Sequence, residues 1–378
     1  MTDVENNFDL LQRKEKDLLW SIVQAKRITR TELQKSSKLK VATFYNTVDS
    51  LYKYGLIKKS ESPLHERIGR PSEYLSLNED CYSILYILLS RSRWIIGVSD
   101  LEGNLYDSEE HPFSASLTAD AFIADCISYY ERKTGAFPIA FVAFVSGINP
   151  NNTNTSGINP SFLGFKFQNN LREAFGLPFF YDTISRAAAM GMYNERYSNE
   201  KASLLFCNLS NGIGIAMTNN MIDDDFWYQN RANIEHWSLN PNGRQCFCGK
   251  RGCLITSLGS RQIVANAQEM ISSGIESALN GEFSISDLIK QANNNDNVAK
   301  KALDEAVSAF IQALNNLNMV FHFDVVAIAG TTIENNYYFV TRLQTELAAA
   351  PFRVEVETNH ISKASKGMSY KILLRTLS

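Results

Sequence analysis

The chain has 378 residues, 44% hydrophobic and 20% charged, with a formal net charge of −3. That length exceeds one ordinary core and predicts two or three domains, the composition excludes a disordered chain, and no apolar run approaches the ~18 residues of a helical membrane span. The small net charge hides an asymmetry: residues 11–60 carry twelve Lys and Arg against four acids, a net of +8, which leaves −11 for the rest. A basic module on an acidic body is the layout of a protein that presents one end to a polyanion.

In chain order, Leu11, Leu18, Leu19, Ile22 and Val23 recur at helical spacing and predict an amphipathic helix to about Ala25. Thr29, with Glu32 three residues on, satisfies a capping box and opens a second helix that ends near Ser36-Ser37. A third helix is predicted from Lys40 to Tyr54, with Val41, Phe44, Val48, Leu51 and Tyr52 on its apolar side and Gly55 as its stop. Leu56–Ser60 and Tyr74–Leu77 have strand character and form a hairpin around Arg67 and Arg70. Three helices and a hairpin, all basic, are the order of a winged helix-turn-helix. The third helix would then enter the major groove of double-stranded DNA, with Lys40 on phosphate, Thr43, Tyr45 and Asn46 on bases or phosphate, and Arg70 of the wing in a minor groove. The alternative is a small helical bundle whose lysines only solvate its surface.

From about Tyr82 the texture changes. Strands are predicted at Ile84–Leu89, Trp94–Val98, Ile139–Val145, Leu204–Leu209, Ile213–Met217 and Val325–Ala329. Helices are predicted at Ala119–Arg132, Phe167–Phe175, Ile184–Tyr193, Ser260–Ser272, Ser284–Asn293, Asn297–Asn315 and Tyr337–Ala349. Strands separated by helices predict an α/β body with largely parallel sheets. Trp94–Leu105 is expected to form a hairpin through a tight Glu-Gly-Asn turn.

Within this body His236 precedes Cys246, Cys248 and Cys253 in the pattern H-x9-C-x-C-x4-C. Three thiolates and a neutral imidazole would complete a tetrahedral Zn²⁺ shell, closed and therefore structural. Idle thiols or a disulfide are the alternatives. The opening stretch Met1–Asp9 is acidic, and the first apolar segment is broken by Arg13, Lys14 and Lys16, so a cytoplasmic, reducing compartment is expected, which favours metal over disulfide. Cys81, Cys126 and Cys207 are scattered in apolar surroundings and are expected to be small core residues.

The run Asn233-Ile234-Glu235-His236, then Pro241–Gln245 and Cys246–Leu254, resembles the signature of the ROK family, which groups sugar-responsive repressors with sugar kinases. Ser210–Gly214 resembles that family's second phosphate loop, Leu177-Pro178 with Ser185–Ala189 its substrate-helix entry, and Ala327–Gly330 its late strand and turn. The resemblance implies an α/β, actin-like (ribonuclease-H-like) two-lobe body preceded by an N-terminal winged helix-turn-helix. Residues 1–78 would be the DNA-binding head, 79–190 with a C-terminal helix at 364–378 the first lobe, and 191–363 the second lobe with the zinc site. It also implies a homo-oligomer, dimer or tetramer, on a palindromic operator.

The chain departs from the family's kinases where chemistry is concentrated. Their acidic, glycine-rich phosphate loop corresponds to Leu88–Arg93, which holds neither acid nor glycine. Their Asn-Asp pair aligns with Thr183-Ile184, and an isoleucine accepts no proton. Two sugar-binding glutamates correspond to Asn233 and Ile255. No catalytic residue is therefore assigned; Asn233, His236 and Thr183 are left as candidate contacts to an effector, either a small molecule or a regulatory protein. The expected function is a DNA-binding transcriptional regulator, a repressor. The alternative is an ATP-dependent sugar kinase, for which Asp182 is the neighbouring acid.

Overall fold

The computed structural model describes residues 6–60, 73–114, 116–148, 159–162, 165–218 and 234–378. By its internal contacts the chain divides into two compact units, Met1–Val145 with Gly164–Tyr181 and Met368–Ser378, and Ser146–Leu163 with Asp182–Gly367. Among the described residues no helix is long and apolar enough to cross a membrane.

The first unit opens with α1 (Arg13–Ala25), β1 (Ile28–Thr29), α2 (Arg30–Ser37), α3 (Val41–Lys53), β2 (Ile57–Ser60) and β3 (Tyr74–Leu77). The capping box forms as predicted: the Glu32 amide donates to Thr29 Oγ1 at 3.2 Å, and the Thr29 amide donates to Glu32 Oε2 at 3.1 Å. Two orphan amides at the start of α2 are thereby satisfied. Gly55, at φ +71°, turns the chain out of α3 in the left-handed region open to glycine. The hairpin pairs Ile57 with Leu77 and Ser60 with Tyr74, and the short β1 adds to the other edge of β3. Leu18, Leu19, Ile22, Leu33, Phe44, Val48, Leu51 and Leu75 are buried between these elements. Val41 is not among them. The sequence placed it on the apolar side of α3, but it is 57% exposed, while Phe44 three residues on is fully buried.

The rest of the unit is built on a sheet in the order β6-β5-β4-β7-β8, from β4 (Ser83–Leu89), β5 (Arg93–Ser99), β6 (Leu105–Pro112), β7 (Ile139–Ser146) and β8 (Phe179–Thr183). Both β4–β5 and β5–β6 are antiparallel; the second is the expected hairpin, and the first corrects the expectation of largely parallel sheets. Their connections are tight turns, and a parallel neighbour needs a crossover of a dozen residues or more. The Glu-Gly-Asn turn is present: Asp100 Oδ1 accepts from the amides of Glu102 and Asn104, both at 2.9 Å, while Gly103 takes φ +82°. The helices α4 (Ala119–Lys133) and α5 (Phe165–Glu173) follow β6 and β7 in sequence.

The second unit carries a four-stranded sheet in the order β10-β9-β11-β12, from β9 (Leu204–Leu209), β10 (Ile213–Thr218), β11 (Val325–Ala329) and β12 (Arg353–Val356). Here β9, β11 and β12 run parallel and β10 is an antiparallel edge. Its helices are α6 (Ile184–Met192), α7 (Ile255–Leu258), α8 (Ser260–Ser272), α9 (Ile285–Asn293), α10 (Asn297–Phe321) and α11 (Tyr337–Glu346). α10 runs six residues past the predicted end at Asn315. The last helix, α12 (His360–Leu377), starts four residues before the expected 364. Gly367 approaches the Ala187 carbonyl and the Gly191 amide so closely that a Cβ there would overlap backbone. The periodicities did not disclose β8 and β12, which are short and only half-buried.

Candidate metal centre and nucleic-acid interface

The metal centre is built by a loop that closes on itself. The Leu239 amide donates to the Gly252 carbonyl at 2.9 Å, Gly252 to Arg244 at 2.8 Å, and Cys246 to Lys250 at 2.8 Å, so residues 239–252 form an irregular ribbon. Its two turns need glycine: Gly249 sits at φ +88° and Gly252 at φ +61°, and a Cβ on Gly252 would overlap the Asn240 carbonyl. Arg244 anchors the ribbon through Glu305 at 2.8 Å.

The fold brings all four predicted ligands together. One donor atom each from His236, Cys246, Cys248 and Cys253 lies within 4.8 Å of the other three. Cys248 Sγ is 3.6 Å from Cys253 Sγ, and Cys246 Sγ is 3.4 Å from His236 Nδ1. A tetrahedral ion with metal–sulfur bonds of about 2.3 Å requires ligand separations of roughly 3.5–3.8 Å, so the donor set fits a metal ion. All six cysteines are free thiols. Burial pushes Cys253 up to about 12 and raises Cys246. Cys248 is penalised by burial yet held below the ordinary thiol value, chiefly by the backbone N–H of Lys250 and hydrogen bonds from the other two thiols. Three sulfurs this close ionise together only around a cation.

One acid at this site was not singled out in the sequence. Glu235 is buried, with Oε1 3.5 Å from His236 Nε2 and Oε2 accepting from the Ile213 amide at 3.4 Å. It therefore faces the imidazole nitrogen that points away from the sulfurs, the arrangement that fixes the ring with Nδ1 free to ligate. The available signal was an acid directly before a ligating histidine.

The candidate effector residues fare differently. Asn233 lies outside the described residues. His236 is a member of the metal cluster. Thr183 is the N-cap of α6, its hydroxyl accepting from the Arg186 amide at 3.3 Å. The neighbouring Asp182 is buried, accepts from the Thr183 amide at 2.7 Å and lies 3.3 Å from Arg186 Nε. It is a carboxylate engaged in structural contacts. Ile184 and Ile255 are buried apolar side chains. The Leu88–Arg93 stretch is a plain hairpin turn, closed by the Ser90 hydroxyl donating to the Arg93 carbonyl at 2.7 Å.

In the first unit, α3 exposes Tyr45 and Asn46, with Lys40 exposed at its N-cap; Thr43 is half-buried. Arg67 and Arg70 lie outside the described residues. Several cations of the head are already engaged: Arg30 pairs with Glu73 at 2.9 Å, Lys59 with the same carboxylate at 2.5 Å, and Lys58 with Glu79. Among the described residues Lys38, Lys40 and Lys53 at the ends of α3 have no carboxylate within ion-pair distance, and the same holds for Lys14, Lys16, Lys26 and Lys35 of α1 and α2.

Comparison with known proteins agrees with this layout. The ROK family profile matches residues 91–371. The xylose repressor of Caldicellulosiruptor bescii is 25% identical over 363 residues, covering 89% of this chain and 88% of the repressor. Among solved structures, a ROK family transcriptional regulator described as a homolog of the E. coli MLC protein superposes with a TM-score of 0.78 at 18% identity, covering 97% of this chain and 98% of its own. A ROK hexokinase from Thermus thermophilus superposes with a TM-score of 0.59 at 17% identity, covering 78% of this chain and 99% of its own. The kinase corresponds to less of the chain than the regulator, as a protein without the head would. The body thus has the actin-like α/β fold of these proteins.

Proposed function

The chain belongs to the ROK family, and from that premise we propose that it is a DNA-binding transcriptional regulator acting as a repressor. The observation that carries this is the head: three helices and a paired hairpin present one helix that exposes Tyr45 and Asn46 and whose flanking Lys38 and Lys40 have no carboxylate partner among the described residues. Residues 1–78 would bind double-stranded DNA, and the body would set operator affinity in response to a small molecule or a regulatory protein. Two-fold symmetry of a dimer or tetramer would match a palindromic operator. A cytoplasmic setting suits free thiols beside a metal cluster.

The test is quantitative footprinting on the protein's own upstream region with excess competitor DNA. A protected, roughly two-fold symmetric site is expected, with affinity falling steeply as salt rises. Asn46→Ala should weaken that site by about 1–3 kcal/mol and relax preference at one base pair, whereas Lys40→Ala should weaken all sequences alike and reduce the salt slope by about one. Protection that vanishes with competitor would sink the reading. The same-family kinase reading would need a base where buried Ile184 stands, and a coupled assay is expected to detect no sugar-dependent ATP turnover.

The metal is proposed to be structural Zn²⁺ held by His236, Cys246, Cys248 and Cys253, with Glu235 orienting the histidine. Glu235→Ala is expected to lower zinc affinity by about ten- to a hundredfold in chelator competition, and Glu235→Gln by less. Affinity unchanged in the alanine variant would remove Glu235 from this role.

A further inference from the structure

The exposed residues of α3 are Val41, Ala42, Tyr45, Asn46, Asp49 and Lys53, steps of one, three, one, three and four residues that define a single helical face. The N-terminal part of that face is apolar. Val41 is 57% exposed and Tyr45 43%, and Ala42 between them is exposed as well. Scattered exposed apolar residues are ordinary on a protein surface. Here, however, the patch sits at the N-terminal end of the helix between the N-cap Lys40 and Asn46 and follows Lys38, both lysines having no carboxylate partner among the described residues. A polyanion drawn to those lysines would bring its own surface against Val41 and Ala42. Recognition helices touch base edges through their N-terminal residues.

Among the four bases only thymine offers an apolar group, its C5 methyl, on the major-groove edge. Accordingly, we propose that Val41 and Ala42 read thymine methyl groups in the operator, Val41 being the principal contact. This rests on the DNA-binding reading above and adds which chemical feature of the groove is recognised. Asn46, one turn along the same face, would supply the polar partner contact to an adjacent base. The apolar patch would thereby give α3 a preference for A·T pairs without any arginine in the helix.

The experiment uses the full-length protein and fluorescence anisotropy on its footprinted operator, with each thymine in one half-site replaced in turn by deoxyuridine, which keeps the pairing but lacks the methyl. Wild type should lose about fourfold in affinity at one or two positions, the factor that burying one methyl-sized group supports. Val41→Ala should bind the thymine operator more weakly and show no further loss at the position Val41 reads, whereas Val41→Thr, which keeps a methyl, should retain the discrimination. The proposal is overturned if no uracil substitution matters to wild type, or if Val41→Ala and wild type respond equally at every position. A protein that protects no site at all would instead remove the DNA-binding reading, and this proposal with it. Because Val41 is exposed, loss of folding is not an expected source of the effect, and an unchanged circular dichroism melt checks this.

Discussion

If the cluster holds zinc as proposed, Cys253→Ser is expected to abolish metal binding and to lower the melting temperature of the protein by roughly 8–16 °C. Cys253 is 1% exposed and its sulfur lies 3.6 Å from that of Cys248, so a replacement ligand has no room to rearrange. A metal that binds only the folded state contributes about 4 kcal/mol when its free concentration is a thousandfold above its dissociation constant, and for a unit of this size each kcal/mol shifts the melting temperature by about 2–4 °C. The effect reaches beyond the ribbon because Cys246, Cys253, Leu254 and Ile255 all belong to the same buried cluster as α8, α10 and β11. Cys81→Ser, a half-buried thiol in the first unit, provides the control and should leave metal content unchanged. Metal analysis and melts with and without chelator decide the matter. Stoichiometric zinc in the serine variant, or a wild-type melt indifferent to chelation, would refute a structural zinc.

Phe44→Ala should abolish operator binding while zinc content remains intact. Phe44 is fully buried beneath α3 and packs edge-on against Tyr45, with ring centroids 5.5 Å apart. Truncating a buried phenylalanine costs about 3–5 kcal/mol, which is comparable to the whole stability of a small domain. The recognition helix would then lose both its seat on α1 and the orientation of Tyr45 and Asn46. A drop of more than about a hundredfold in operator affinity is expected, against a smaller loss for Phe44→Leu, which refills part of the volume. Metal content separates this from general unfolding, since the cluster lies wholly in the second unit. Wild-type affinity in Phe44→Ala would mean that α3 is not the DNA-contacting element.

The parts of the fold legible in the sequence are those governed by short-range rules. Apolar spacing of 3.6 or 2 residues located nearly every long element, and the Thr29–Glu32 box was legible because both partners lie within one turn. The metal cluster was legible for a similar reason: three of its four ligands fall within eight residues, and the glycines that let them converge lie between them.

Other features depend on what lies across space. Val41 fits the apolar stripe of α3 by spacing, yet it is exposed where Phe44, three residues on, is buried. Strand direction was anticipated for β5–β6, whose Glu-Gly-Asn turn is legible, but not for β4–β5, because the apolar pattern of a buried strand is the same in parallel and antiparallel sheets. Asp182 looked available as a neighbour in sequence and is engaged by Arg186 and the Thr183 amide in space. Glu235 gained its role beside His236 only when the β9–β10 turn came within reach of its carboxylate. The sequence by itself determined most of the long elements, the basic head and the candidate His/Cys cluster, since each is set by residues close along the chain. The tertiary structure alone decided which face of α3 stays open, which way the strands run and which carboxylates are already engaged, because burial and pairing are properties of neighbours that the chain supplies only after it has folded.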